Sequence, residues 1–363
     1  MLVKPRLIVP IVVTLALLVA ACGSQGSEAA APKRPTGPKY DPGAIRFPSG
    51  AVPGSSACLA PDGQTAFVAW PKLRNPILQR SGPVTDPLLR WDNFRWRMLF
   101  SRRTESNGVA ALGHTTSADF TDWTPFRPTV PDGWSPDAAQ LADRFSVLVT
   151  DSSSLEEPGR DSLVYRHGQD LSQIFGPPAT PLAPGIFPGE DVGDGALAVT
   201  ERALYLVFSH VPPDRSRPPH AAVVVSSSGS LDGPWRLVGE LDLGTFSDAQ
   251  LLVIDGKWHL VGTTGTPPRP TLYRLDGDPA RPESWRRWTL VRRLVVPTES
   301  WSSAANGADP ARAPYLCDAR RADGWFYLLY SGSTEQASFG GLGYQKIGVA
   351  RSTDLKTWHV PPK

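Results

Sequence analysis

A sustained helical period is absent from this sequence. No stretch repeats apolar residues at three- and four-residue steps. The 363 residues include 38 prolines and 33 glycines, which interrupt or weaken long helices. Charge of one sign is missing too: 37 basic against 35 acidic side chains leave a formal net charge of +2, so nothing points to nucleic acid or another polyanion as partner. Several chemistries lack their motifs. There is no P-loop, no zinc-ligand spacing and no nucleophilic-serine signature, and Gly340, Gly341 and Gly343 fall between strands rather than before a helix. Cysteine is scarce, limited to Cys22, Cys58 and Cys317.

What is present begins with the N-terminus. Lys4 and Arg6 precede an apolar run over residues 7–21, broken only by Pro10 and Thr14 and too short to span a bilayer comfortably. Leu18, Val19, Ala20, Ala21 and Cys22 close it, and this ending resembles the bacterial lipobox. The resemblance implies a signal peptide over residues 1–21 and a diacylglycerol on Cys22. The chain would then be exported and anchored to the outer face of the bacterial cell membrane by two acyl chains. Residues 22–50 are rich in Gly, Ser, Ala and Pro and read as a flexible tether. Residues 51–363 form the folded domain. In an oxidising compartment Cys58 and Cys317 are expected to be bridged, the alternative being two separate buried thiols. A bridge would bring the N-terminal strand, around residues 65–69, to the last structural unit.

The domain repeats itself. Asp86 leads through an apolar strand, a turn and a second apolar strand to Ser101, a separation of 15. Asp194 to Ser209 and Asp248 to Thr263 repeat that separation, while Asp137 to Thr150 spans 13. A fifth copy starts near Arg312, has no matching aspartate and ends at Ser331. Farther along the units, Gly113, Asp119 and Trp123 match Gly348, Asp354 and Trp358 in spacing, with weaker versions ending at Trp235 and Trp288 and the signature lost in the second unit around Ile174 and Phe175. Five units of four strands predict an all-β fold, a five-bladed β-propeller with four-stranded blades around a central channel, in preference to a stacked β-solenoid. In a propeller the first strand of each blade lines the channel. Asp86, Asp137, Asp194 and Asp248 should therefore converge at one mouth. Aspartate also favours turns, but four like charges in one funnel are unfavourable and point to function.

These motifs resemble the family 43 glycoside hydrolases and their five-bladed relatives, over roughly residues 80–363. Thr85, Asp86 and Pro87 match the family's first-blade "DP" motif. Trp134, Ser135, Pro136 and Asp137 are similar to its "WAPD" motif, and Asp194 and Ser247–Asp248–Ala249 occupy the third- and fourth-blade positions. The resemblance implies Asp86 as general base, Asp194 as the residue that tunes and orients the acid, and Asp248 as general acid. The family's usual acid is glutamate, one methylene longer. Asp137 would be a channel or substrate contact. The implied chemistry is inverting hydrolysis of pentose- or fructose-containing oligo- or polysaccharide, with no cofactor. A structural calcium in the channel is compatible with the family, and a monomer is expected.

Further substrate-binding candidates follow from position. Trp91, Trp134 and Trp301 are read as sugar-stacking or as blade packing, and His210 as facing the pocket or ending a strand. Arg312 would replace the aspartate at the fifth mouth or pair with Asp309. Glu190 and Glu299 are nearby carboxylates able to substitute for the acid, or plain loop residues. Two other functions remain open: a non-catalytic glycan-capturing propeller that has lost its acid, and a structural surface propeller.

Overall fold

The computed structural model describes residues 67–362, apart from 81, 93, 104–109, 132, 142–143, 152–160, 169–179, 182–184, 213, 215, 229, 304–311 and 335–344. Residues 1–21, Cys22, the tether and Cys58 lie outside the described residues. Five antiparallel sheets follow one another along the chain. Blade I is β1 (Val84–Asp92), β2 (Arg95–Arg103), β3 (Ala110–Ser117) and β4 (Arg127–Pro131). Blade II is β5 (Gly133–Leu141), β6 (Arg144–Asp151), β7 (Ser162–Gly168) and β8 (Thr180–Pro181). Blade III is β9 (Asp191–Val199), β10 (Leu204–Val211), β11 (His220–Ser226) and β12 (Arg236–Leu241). Blade IV is β13 (Phe246–Ile254), β14 (Lys257–Thr264), β15 (Arg269–Leu275) and β16 (Trp288–Arg293). Blade V is β17 (Arg312–Asp318), β18 (Phe326–Gly332) and β19 (Lys346–Ser352), with a one-turn helix α1 (Arg320–Asp323) between its first two strands. The inner strands β1, β5, β9, β13 and β17 touch in sequence and close a ring, as a five-bladed propeller requires.

Burial explains the strand composition. Each blade is covered on both faces by its neighbours, so β9 and β10 are buried along almost their whole length, whereas the outer β12 and β16 are largely exposed. Between blades III and IV, Tyr205 and Trp285 stack at 4.1 Å within a wholly apolar layer. Each such large side chain removed from water contributes roughly 1.5–3 kcal/mol. The glycines that open the outer-strand signature have a steric reason. A Cβ on Gly113 would lie 1.8 Å from the Phe126 ring, and one on Gly348 would lie 2.4 Å from Trp301.

Among the described residues blade V has three strands of its own, not four. Its outer edge is filled by the chain ahead of β1 and, farther along β19, by His359, which exchanges two backbone bonds of 2.8 Å with Arg351. Leu78 pairs with Ile347 through two backbone bonds of 3.0 and 3.1 Å. The Asn75 carboxamide donates to the Val349 carbonyl at 2.9 Å and accepts from its amide at 3.0 Å, as a strand would. Of the expected closing segment at residues 65–69, residues 65 and 66 lie outside the described residues, and the described part bonds to blade I. Ala69 donates instead to the Asp119 carbonyl of blade I at 3.1 Å, and the Phe67 carbonyl accepts from Trp96 Nε1 at 2.7 Å. Cys317 on β17 is buried and disulfide-bonded. Both cysteines that could be its partner, Cys22 and Cys58, lie outside the described residues.

Candidate active site

Every inner strand is bulged at one place. The pairing slips between Thr85 and Leu88, Trp134 and Asp137, Ser247 and Gln250, and Arg312 and Tyr315, and opposite Val207 and Ser209 in blade III. At each bulge one residue takes the left-handed conformation: Asp86 at φ 51°, Ser135 at 49°, Asp194 at 53°, Asp248 at 57° and Ala313 at 44°. That conformation is uncommon for residues other than glycine, and a bulge re-aims the side chain it carries. The five residues are thus structural equivalents.

This corrects two alignments made from sequence. The blade II counterpart of Asp86 is Ser135, not Asp137, which lies two residues beyond the bulge. In blade V it is Ala313, not Arg312, which precedes the bulge and pairs with Ser331. Ser135 to Thr150 restores the separation of 15.

Asp86, Ser135, Asp248 and Ala313 line one cavity of about 310 Å³, open mouth included, and Asp194 sits against it, only 7% exposed. A buried hydroxyl on the second strand of each blade stands beside the bulge: Ser101, Thr150, Ser209, Thr263 and Ser331. Ser101 Oγ accepts the Ser135 amide of the next blade at 2.9 Å, and Thr150 Oγ1 accepts the Asp194 amide at 3.0 Å. Ser209 donates to Asp194 Oδ2 at 3.1 Å. Thr85 donates to Asp86 Oδ1 at 3.0 Å, and Ser247 to Asp248 Oδ2 at 3.1 Å. The carboxylates are held both by the backbone and by these hydroxyls.

The electrostatics single out Asp248. Burial, then the charges of Asp194 and Asp86, push Asp248 up to about 7, with Thr263 and Ser247 offsetting part of the rise. Burial also raises Asp194, against the opposing pull of Ser135, Ser209 and the Asp248 amide. At neutral pH Asp248 can therefore keep a proton to donate.

Deeper in the channel, side chains two residues past three of the bulges tie one blade to the next. Asp137 Oδ2 accepts the Leu197 amide at 2.8 Å, and burial raises Asp137 to about 6. Gln250 donates to the Leu316 carbonyl at 2.9 Å and accepts its amide at 2.7 Å. Tyr315 donates to the Leu89 carbonyl at 3.1 Å, and Arg90 to the Ala138 carbonyl. Asp137, Gln250 and Tyr315 also line the cavity. The sequence reading missed Ser135, Gln250, Ala313 and Tyr315.

The other candidates lie elsewhere. Trp91 is buried, edge-on to Trp96 at 5.1 Å, in the core of blade I. Trp301 stacks on Tyr330 at 5.6 Å and donates to Glu299 at 3.1 Å. Glu299 also accepts from Asn75 at 2.7 Å and Tyr330 at 3.2 Å, so it fastens the ring closure rather than serving as an acid. Trp134 is partly exposed on β5, opposite Thr150, and does not line the cavity. His210 is fully buried, stacked on Phe187 at 3.9 Å, with Nδ1 2.6 Å from Glu190, which Arg217 also holds at 2.8 Å. Arg312 is partly exposed beside the cavity without lining it. Calcium takes six to eight oxygens, and among the described residues no group of three or more His, Cys, Asp or Glu is arranged to hold an ion.

No family model and no curated protein matches the sequence. Among solved structures, a thermostable family-43 glycoside hydrolase superposes with a TM-score of 0.57 at 11% identity, over 80% of this chain and 96% of that one. A sucrose-6-phosphate hydrolase from Lactobacillus gasseri gives 0.58 at 14%, over 82% of this chain, which spans only 63% of that enzyme. A family-43 enzyme from Xanthomonas citri, solved with xylotriose, gives 0.52 at 15%, over 81% and 93%. The shared feature is the fold: this chain has the five-bladed propeller of the family-43 glycoside hydrolases.

Proposed function

We propose that a chain with this fold is itself a glycoside hydrolase, acting by inversion on pentose- or fructose-containing glycans. The observation that carries the reading is the placement of Asp86, Asp194 and Asp248 at one bulge position of three blades, with Asp248 raised to about 7. Asp86 takes a proton from water as the water oxygen bonds to the anomeric carbon. Asp248 gives its proton to the glycosidic oxygen as that carbon–oxygen bond breaks. Asp194 keeps Asp248 protonated by like-charge repulsion. Inversion needs room for the water between base and acid, which blades on opposite sides of a channel suit. The shorter aspartate can serve as acid because burial and charge give it the required proton affinity; glutamate's extra reach is not what sets that affinity.

Under the same reading the protein works outside the cell as a monomer, tethered by a lipid on Cys22. Screening aryl pentosides, arabinan, xylan and fructans, with NMR of the first-formed anomer, tests the proposal. An inverted product supports it. Binding of a glycan with no hydrolysis of any substrate, unaltered in Asp86→Asn, replaces it with the sugar-binding propeller.

A further inference from the structure

The rim of blades III and IV carries a surface that the active site does not use. Among the described residues six large apolar side chains are exposed, and four of them, Leu237, Leu290, Val291 and Val295, lie on β12, on β16 or just after β16. The same rim is basic. Residues 281–295 hold five arginines against one glutamate, in a chain whose overall charge is nearly balanced. Arg281 pairs with Asp278 at 3.8 Å, but among the described residues Arg286, Arg287, Arg292 and Arg293 make no ion pair. The two blades present one continuous face. The 3-10 turn Pro282–Arg286 packs on β12, and Arg286 lies so close to Gly239 that a Cβ there would meet its Nε at 2.5 Å.

Charge alone is a common way to blunt an exposed sheet edge. It does not explain why Leu290 is 55% exposed between the arginines and Val295 56% exposed just past them. Unpaired arginines interspersed with solvent-facing aliphatics on exposed outer strands match a planar surface that is anionic outside and apolar beneath. We propose that this face docks on the surface of an anionic lipid bilayer. A second copy pairing along the open β16 edge is the competing occupant. It is disfavoured because Arg236, Arg286, Arg287, Arg292 and Arg293 outnumber the carboxylates of the same face, Glu240 and Glu283, so two copies would set net positive charge against net positive charge. The proposal does not depend on the hydrolase reading, and the Cys22 anchor only brings the surface within reach.

The test is hydrogen exchange on the full chain mixed with vesicles of phosphatidylglycerol or of phosphatidylcholine. We expect the β16 amides to slow by about tenfold on phosphatidylglycerol alone. The protection should vanish at about 0.5 M salt, where the screening length is only roughly 4 Å. It should vanish equally in Arg292→Glu combined with Arg293→Glu, while β4 exchanges identically throughout and reports an intact fold. Equal exchange on both vesicles overturns the proposal. Protection that grows with protein concentration without lipid overturns it in favour of self-pairing. Co-sedimentation with phosphatidylcholine reports the N-terminal anchor separately, so failure of the anchor and failure of the face are told apart.

Discussion

Replacing Asp194 with asparagine tests the electrostatic logic of the site directly. Asp248 stands at about 7 instead of its ordinary 3.8, and after burial the Asp194 charge is the largest cause. Asparagine keeps the size of the side chain and an oxygen for the Ser209 hydroxyl, but removes the charge. Loss of one close like charge should lower Asp248 by roughly one unit. As the proposed acid, Asp248 is active when protonated, so activity is full below its pKa and is lost as pH rises through it. The alkaline limb of the kcat/KM profile should therefore move to lower pH by about one unit. At pH 7 the protonated fraction falls from about a half to about a tenth, so this effect alone costs about fivefold, with almost no cost at pH 5. The assay is kcat/KM against pH on a glycoside with a poor leaving group, whose departure needs the proton. A limb that stays in place while the amplitude falls would refute the reasoning: Asp194 would then act by position and not by charge.

Other outcomes follow from the same structure. Asp86→Asn should cut turnover by about 10²–10⁴-fold with an unchanged melting temperature, as measured by steady-state kinetics and thermal unfolding side by side. Asp137 is raised to about 6 in the folded chain, so folding takes up protons between about pH 4 and 6 and stability falls as pH rises through that window. Asp137→Asn should accordingly be more stable to unfolding than the parent at pH 7, by about 1–3 kcal/mol, and no more stable at pH 4; a gain of equal size at both would exclude titration as the cause. Cys22→Ser should abolish acylation and leave the protein soluble or unprocessed, and mature acylated protein still found with membranes would contradict the lipobox reading.

The blades and three of the four aspartates were readable because strand, turn and strand repeat at a fixed separation with Asp at the head. The second blade was misaligned because side-chain identity was followed where the conserved element is the backbone bulge. Asp137 looked like Asp86, but Ser135 keeps the distance to Thr150. The fifth blade hid its bulge for another reason: α1 lengthens the turn, so Ala313 has no counterpart at the expected separation. Trp91 and Trp301 were ambiguous because an aromatic that packs between blades and one that stacks on a sugar have the same sequence signature. Closure by Leu78 and Asn75 was not legible, since a single bridge and a side-chain amide imitating a strand leave no periodicity.

The bulge itself is indifferent to what it carries. Alanine and serine hold the same left-handed turn as the three aspartates, so the strain of about 1–3 kcal/mol at each is borne by the surrounding sheet and not by the carboxylate's own bonds. The propeller thus offers five interchangeable sockets around one opening, each filled by a single residue. Ala313→Asp would seat a fourth acid, and Asp248→Ser would leave a receptor-like mouth, with no strand redrawn in either case. On the proposed hydrolase reading, catalyst and sugar receptor are neighbours separated by one substitution, and gain or loss of turnover along such a lineage need not leave any trace in the fold.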